Sequence, residues 1–169
     1  PADISFPTDL NTLNAGRKKL EEMIDTLWAL SPQKVEKPRT HRKKARKFHL
    51  NAARSKRLTR VNRRKAIRKQ LNFVKRDLKT IKTLRNIDRL SSQQYHLLLV
   101  FSEMHRQQEE MYQYKKHTVK DPIVNIFQPH IRPIVRGKAG KQTEFGAKIS
   151  ASIVDGFATM DRILFDSYN

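Results

Sequence analysis

Residues 64–100 read RKAIRKQLNFVKRDLKTIKTLRNIDRLSSQQYHLLLV, and their spacing decides the fold. Ile67, Leu71, Val74, Leu78 and Ile81 recur at alternating intervals of four and three, the seam of a helix that packs on other helices. From His41 to Leu90 the chain has neither Gly nor Pro and is rich in Arg, Lys, Leu and Ala, all good helix formers. Ser91 with Gln94 three residues later is a capping-box signature, in which each side chain satisfies an orphan backbone N–H of the other residue. A second helix then runs to about Lys116, with Leu97, Val100 or Phe101, Met104 and Met111 as its seam. Two long helices with matching stripes, joined by a short link near Asn86–Ser91, predict an antiparallel helical hairpin.

Upstream, Leu10, Leu13, Leu20, Ile24 and Leu27 form another helical stripe, with Arg17 occupying one of its turns. Thr8 or Asp9 can cap its start, and Ser31-Pro32 stops it, because Pro lacks a donor and restricts the residue before it. A short polar link between Pro32 and Pro38 leads into the cationic stretch. Within residues 39–65 the apolar stripe is thin: Ala45, Phe48, Ala52, Leu58 and Val61. Like charges at i, i+4 repel, so this half is expected to be only partly helical without an anion, and to project or take a partner.

Downstream, Pro122, Pro129, Pro133, Gly137 and Gly140 break any helix over 117–141. Phe145, Ala147, Ile149, Ala151 and Ile153 then alternate with Gly146, Lys148, Ser150 and Ser152, a strand pattern. Asp155-Gly156 is a favoured two-residue hairpin turn, with a return strand over roughly Phe157 to Phe165. Two strands alone are marginal in water, so this hairpin expects more sheet than the sequence supplies. The class is therefore α+β, mainly α: a long helical hairpin with a basic arm, then a β-hairpin from an incomplete sheet. Residues 1–7 read as the end of a strand or a linker, 8–117 as the helical part with its basic arm at 39–85, and 118–169 as loop and hairpin.

The formal net charge is +20, and its location matters more than its size. Residues 39–85 hold 20 of the 36 Lys and Arg against one acid, Asp77, so the rest of the chain is close to neutral. Charge concentrated in this way points to a polyanion. Neutralised phosphates release counterions, so such a segment binds tightly at low salt and weakly at high salt. The expected phosphate contacts are Arg42, Lys43, Lys44, Arg46, Lys47, Arg54, Lys56, Arg57, Arg60, Arg63, Arg64 and Lys65. Only Phe48 and Phe73 lie in the segment, too few for a base-stacking platform, and no zinc-finger, RNP or helix-turn-helix signature is present. A solvated helix face is the plainer alternative. An anionic membrane surface fits less well, because the apolar face is weak.

Other chemistry is not supported. The absence of Cys excludes a disulfide framework and thiolate metal sites. GKAGK at 137–141 lacks the spacing of a phosphate loop and precedes a strand. The six His share no metal-ligand spacing, and His105 with Glu109 reads as a surface pair on one helix face. Asp9 is better read as a cap and Asp155 as a turn former than as metal carboxylates; Asp3, Asp161 and Asp166 show no convergence. No apolar run is long enough for a membrane span, and no signal peptide is visible.

Three stretches together resemble bacterial insertion-sequence transposases of the DDE type: PADISFPTDLNTLNAGRKKLEEMIDTLW (1–28), RKAIRKQLNFVKRDLKTI (64–81) and DPIVNIFQPHIRPIVRGKAGKQTEFGAKISASIVDGFATM (121–160). The third is the most specific, and the order covers nearly the whole chain. The resemblance implies a ribonuclease-H-like fold in which three acids hold two Mg²⁺ ions for DNA cleavage and strand transfer. It implies that the first acid stands just before Pro1 and the other two after Asn169, so none maps onto a residue here. The chain would be an internal fragment that holds DNA, catalytically incomplete alone, with no cofactor of its own. Arg132 and Arg136 would then approach DNA near the active site. The implied partners are transposon ends and target duplex, with a homodimer possible and no membrane, in the bacterial cytoplasm near the nucleoid. Two other readings stand beside it: a non-enzymatic basic-helix protein that binds nucleic acid, and an interaction module for an acidic protein.

Overall fold

The computed structural model describes residues 9–31, 36–84, 87–138 and 141–165, with backbone alone for 135–138 and 141–142. The readings made for residues 1–7, Thr8, Pro32 and Asp166 lie outside these. Four helices come first: α1 (Asp9–Ala29), α2 (Arg42–Ala53), α3 (Arg60–Thr83) and α4 (Ser92–Tyr114), with a 3-10 turn at Ile87–Arg89. Two antiparallel hairpins follow: β1 (Arg132–Lys138) with β2 (Lys141–Gly146), and β3 (Lys148–Val154) with β4 (Phe157–Leu164). The class is α+β, mainly α.

The core lies between α1, α3 and α4. Leu13, Leu20, Ile24 and Leu27 of α1 meet Leu71, Val74 and Ile81 of α3 and Phe101 and Met104 of α4. Ile67, Leu78 and Leu97 pack at the margin, so the seam read from residues 64–100 is the seam that is buried. Near the starts of α1 and α3, Asp9 and Arg64 reach the end of α4, through Gln108 and Tyr112. Past their far ends, Arg89 donates to the Leu30 carbonyl. Hence α1 and α3 run in the same direction and α4 runs against both. The α3–α4 hairpin forms as expected, and α1 fills its groove.

The helix ends follow their local chemistry. Ser91 Oγ accepts from Gln94 N at 3.2 Å while Gln94 Oε1 accepts from Ser91 N at 3.0 Å, the full capping box. Thr59 caps α3 by accepting from Asn62 N. Lys115 closes α4 in the left-handed region at φ 55°. The cationic stretch is not one helix, because residues 54–59 separate α2 from α3. Nor does α2 project: it turns back onto the bundle, with Ala45 as its one buried residue.

One turn of the core is polar. Arg17 is buried and pairs with Glu21, and it also donates to Asn14 Oδ1 at 2.8 Å. Asp77 of α3 is 0% exposed, and among the described residues neither of its carboxylate oxygens has a hydrogen-bond partner. Burial, then the neighbouring Glu21 carboxylate, pushes its pKa up to about 7, against the weaker pull of Arg76, Arg17 and Arg42. His105 is also buried, 3.7 Å from Glu109, so that pair is not the surface pair expected.

The segment after α4 is tied down by Gln107. Its Nε2 donates to the Asp121 carbonyl and its Oε1 accepts from Ile123 N. Sequence reading leaves 117–141 as loop, but β1 occupies 132–138. Pro and Gly exclude a helix there, not a strand: in a two-stranded sheet the missing N–H of Pro133 can sit at the edge. In the second hairpin Asp155 and Gly156 take φ 51° and 83°, the turn expected of that dipeptide. A bulge at Asp161 keeps Met160 and Ile163 on the face shared by Ile149, Ala151, Ile153 and Ala158. That face is open, with Ile153 76% exposed.

Candidate nucleic-acid interface

The expected phosphate contacts fall on α2, the connector 54–59 and the start of α3. Neither helix carries an acid in its first turn. Each therefore begins with cations at the end where the helix dipole already favours an anion. Lys43, Lys44, Arg46 and Lys47 of α2, Arg54, Lys56 and Arg57 of the connector, and Arg60, Arg63 and Lys65 of α3 are all exposed. They form a run of cations from one helix through the connector into the next. Ala45 is buried and Phe48, His49, Leu50 and Ala52 are half-buried, so the inner side of α2 faces the bundle and its cations stand on the outer side.

Two of the expected contacts are occupied within the fold. Arg42 donates to Asp25 Oδ2 at 2.8 Å, and its Nε donates to Thr40 Oγ1 at 3.2 Å. The hydrogen bond to Asp25 holds the Arg42 pKa above its ordinary value. Burial works to raise the Asp25 carboxyl, but hydrogen bonds from Arg42 and Lys37 outweigh it and hold that pKa low. Arg64 donates to the Tyr112 carbonyl at 2.8 Å, and its guanidinium lies 3.9 Å from the centroid of the Tyr112 ring.

Of the two later cations, Arg132 does not join the run. Arg132 is turned inward onto its own loop, donating to the carbonyls of Pro129 and Ile131, with Asp121 3.9 Å away. Arg136 stands in β1, and its side chain lies outside the described residues.

Sequence reasoning missed a continuation of the cationic face. Arg68, Lys79 and Lys82 are exposed farther along α3, and Lys75 is exposed but paired with Glu109 at 3.3 Å. The signal was present: residues 68, 75, 79 and 82 keep helical spacing on the side away from the buried seam. Lys69 sits 3.8 Å from the centroid of the Phe48 ring, and Phe48 in turn meets Phe73, so cation and aromatics join α2 to α3.

His49 lies on the inner side of α2, its Nε2 3.1 Å from Asn11 Oδ1. Burial, with Arg17 and Lys18 nearby, lowers its pKa, so it is neutral at physiological pH and adds no charge to the interface. Among the described residues no group of three His, Asp or Glu side chains converges as metal ligands would. No helix among them is long and apolar enough to cross a membrane.

No family model, curated protein or solved structure matches the chain.

Proposed function

We propose that this chain holds nucleic acid through the phosphate backbone, with duplex DNA as its partner and α2, the connector and the start of α3 as the contact surface. The observation that carries the reading is the run of ten exposed Lys and Arg from Lys43 to Lys65, uninterrupted by an acid. Cations at this density attract a polyanion without regard to base sequence, since phosphate contacts position a duplex and base contacts specify it. The resemblance to DDE transposases gives the reading a setting: an internal piece of a DNA-transposing enzyme, in which the hairpins extend a ribonuclease-H-like sheet. In that setting three carboxylates outside these residues supply the Mg²⁺ chemistry, and we assign no metal-dependent step to this chain.

The test is duplex binding by the purified chain over a salt series, with Mg²⁺ and a nicked-product readout in the same samples. Each phosphate neutralised on B-DNA contributes about 0.9 to the slope of log K against log salt, so a surface engaging six to ten phosphates gives a slope of roughly −5 to −9. Reversing Lys43, Lys44, Arg46 and Lys47 to Glu flattens it. Binding without nicking is the expected outcome. Equal competition by an acidic peptide would move the partner from DNA to protein. Binding that ignores salt would end the phosphate reading.

A further inference from the structure

Not every cation on the basic face has room for a phosphate. α2 has one buried residue, Ala45, so it has little apolar surface with which to hold its place. Beside the Phe48–Phe73 contact, three polar contacts fix it. Arg42 bonds Asp25 of α1 at its start, and Gln70 Nε2 of α3 donates to the Ala45 carbonyl at 3.1 Å. Near its end His49 meets Asn11 of α1. In the second turn of α3, Arg64 is likewise committed to the carbonyl and ring of Tyr112 on α4. These contacts tie the two cationic helices to the acid-bearing elements behind them. A helix crowded with like charges tends to unwind and drift, so such ties decide where its remaining cations stand.

We infer that Arg42 and Arg64 are positioning residues: they clamp α2 and α3 to the bundle and set the spacing of the cations that touch phosphate, without touching it themselves. The inference rests on the phosphate-binding reading and divides its residues into holders and binders. The division has an unusual sign. Asp25 is acidic and stands beside the basic face, so electrostatics alone says that removing its charge should improve DNA binding. If Asp25 is the anchor of Arg42, removing its charge should weaken binding instead.

Asp25→Asn and Arg46→Ala in the full chain separate the possibilities. With Asp25→Asn, duplex affinity is expected to fall by about two- to fivefold at every salt concentration, the range of a partly exposed ion pair, with the salt slope unchanged. With Arg46→Ala the slope itself is expected to lose about 0.9. The double exchange Asp25→Arg with Arg42→Asp restores affinity to within about twofold. Amide exchange without DNA gives a second readout: Asp25→Asn speeds exchange across 45–53 by a similar factor and leaves 71–81 as they were. Tighter binding by Asp25→Asn, or unchanged exchange in α2, would overturn the inference. Faster α2 exchange in Asp25→Asn, together with no salt-dependent DNA binding by the wild-type chain, would keep the clamp and remove the phosphate reading.

Discussion

Gly16 of α1 and Met104 of α4 meet so closely that a Cβ on the glycine would lie 3.0 Å from the methionine Cε. Phe101 Cδ1 would be 3.5 Å away. The close approach of α1 to α4 therefore depends on a missing side chain. Gly16→Ala gains about 1 kcal/mol of helix propensity and loses part of it in displacing the methionine end, so its stability should lie within about 1 kcal/mol of wild type. Gly16→Val gains only a few tenths of a kcal/mol of helix propensity and brings two more methyl groups into the contact, so it should cost about 1–3 kcal/mol in chemical denaturation. A neutral Gly16→Val would mean that the α1–α4 contact is looser than described.

Asp77 makes stability depend on pH in an uncommon direction. Its pKa stands at about 7 when folded, above the ordinary 3.8. The folded chain therefore holds a proton that the unfolded chain gives up. That contribution is fully present below about pH 4 and is lost as pH rises through about 7. Over the window it is on the order of 4 kcal/mol, at about 1.36 kcal/mol per unit. His49 and His105, both held neutral by burial, act the opposite way and withdraw stability as pH falls below their unfolded value, about 6.5. Asp77→Asn should abolish the loss between about pH 4 and 7 in urea titrations and leave the opposing loss from the histidines intact.

Arg17 and Glu21 should be costly to break singly and cheap to replace together. Glu21→Ala leaves the Arg17 guanidinium buried with its main counter-ion gone, at a cost of about 3–5 kcal/mol. Arg17→Met with Glu21→Leu turns the pair into apolar packing and should be close to neutral, or even stabilising. Melting curves of the three proteins check this, and equal costs for the single and double variants would contradict it.

The open face of the second hairpin should govern solubility and not core stability. Ile149, Ile153, Met160 and Ile163 line one face of β3–β4 without a cover among the described residues. Ile153→Thr with Met160→Thr should lower light scattering at high protein concentration. The helical melting temperature should stay within about 2 °C, because these side chains lie outside the core cluster. A drop of many degrees would show that the face packs on the helices.

The helical part was legible because periodic burial leaves a periodic record. Leu13, Leu20, Ile24 and Leu27 were read as a stripe and are buried, and Ser91 with Gln94 was read as a capping box and forms one. Asp155-Gly156 likewise carried its turn in two letters. Tertiary electrostatics left no such record. Arg42 and Lys43 are adjacent and look alike in sequence, yet Asp25 captures one of them, because only one comes opposite an acid 17 positions earlier. The fate of Asp77 was equally hidden: a single acid among cations reads as a salt-bridge former, and helix packing turns it inward instead. The strand at 132–138 left little record because proline and glycine exclude a helix there without pointing to a strand.

The uneven placement of charge also makes this molecule an electric dipole. The positive pole lies along α2, the connector and the cation-rich face of α3, while the rest of the sequence is close to neutral. In the field of any polyanion such a body feels a torque before it makes contact. It arrives with the right end forward, and a larger share of its collisions is productive. The benefit lies in the rate of encounter, and it fades once the solution's ions shorten the reach of the field to about 8 Å.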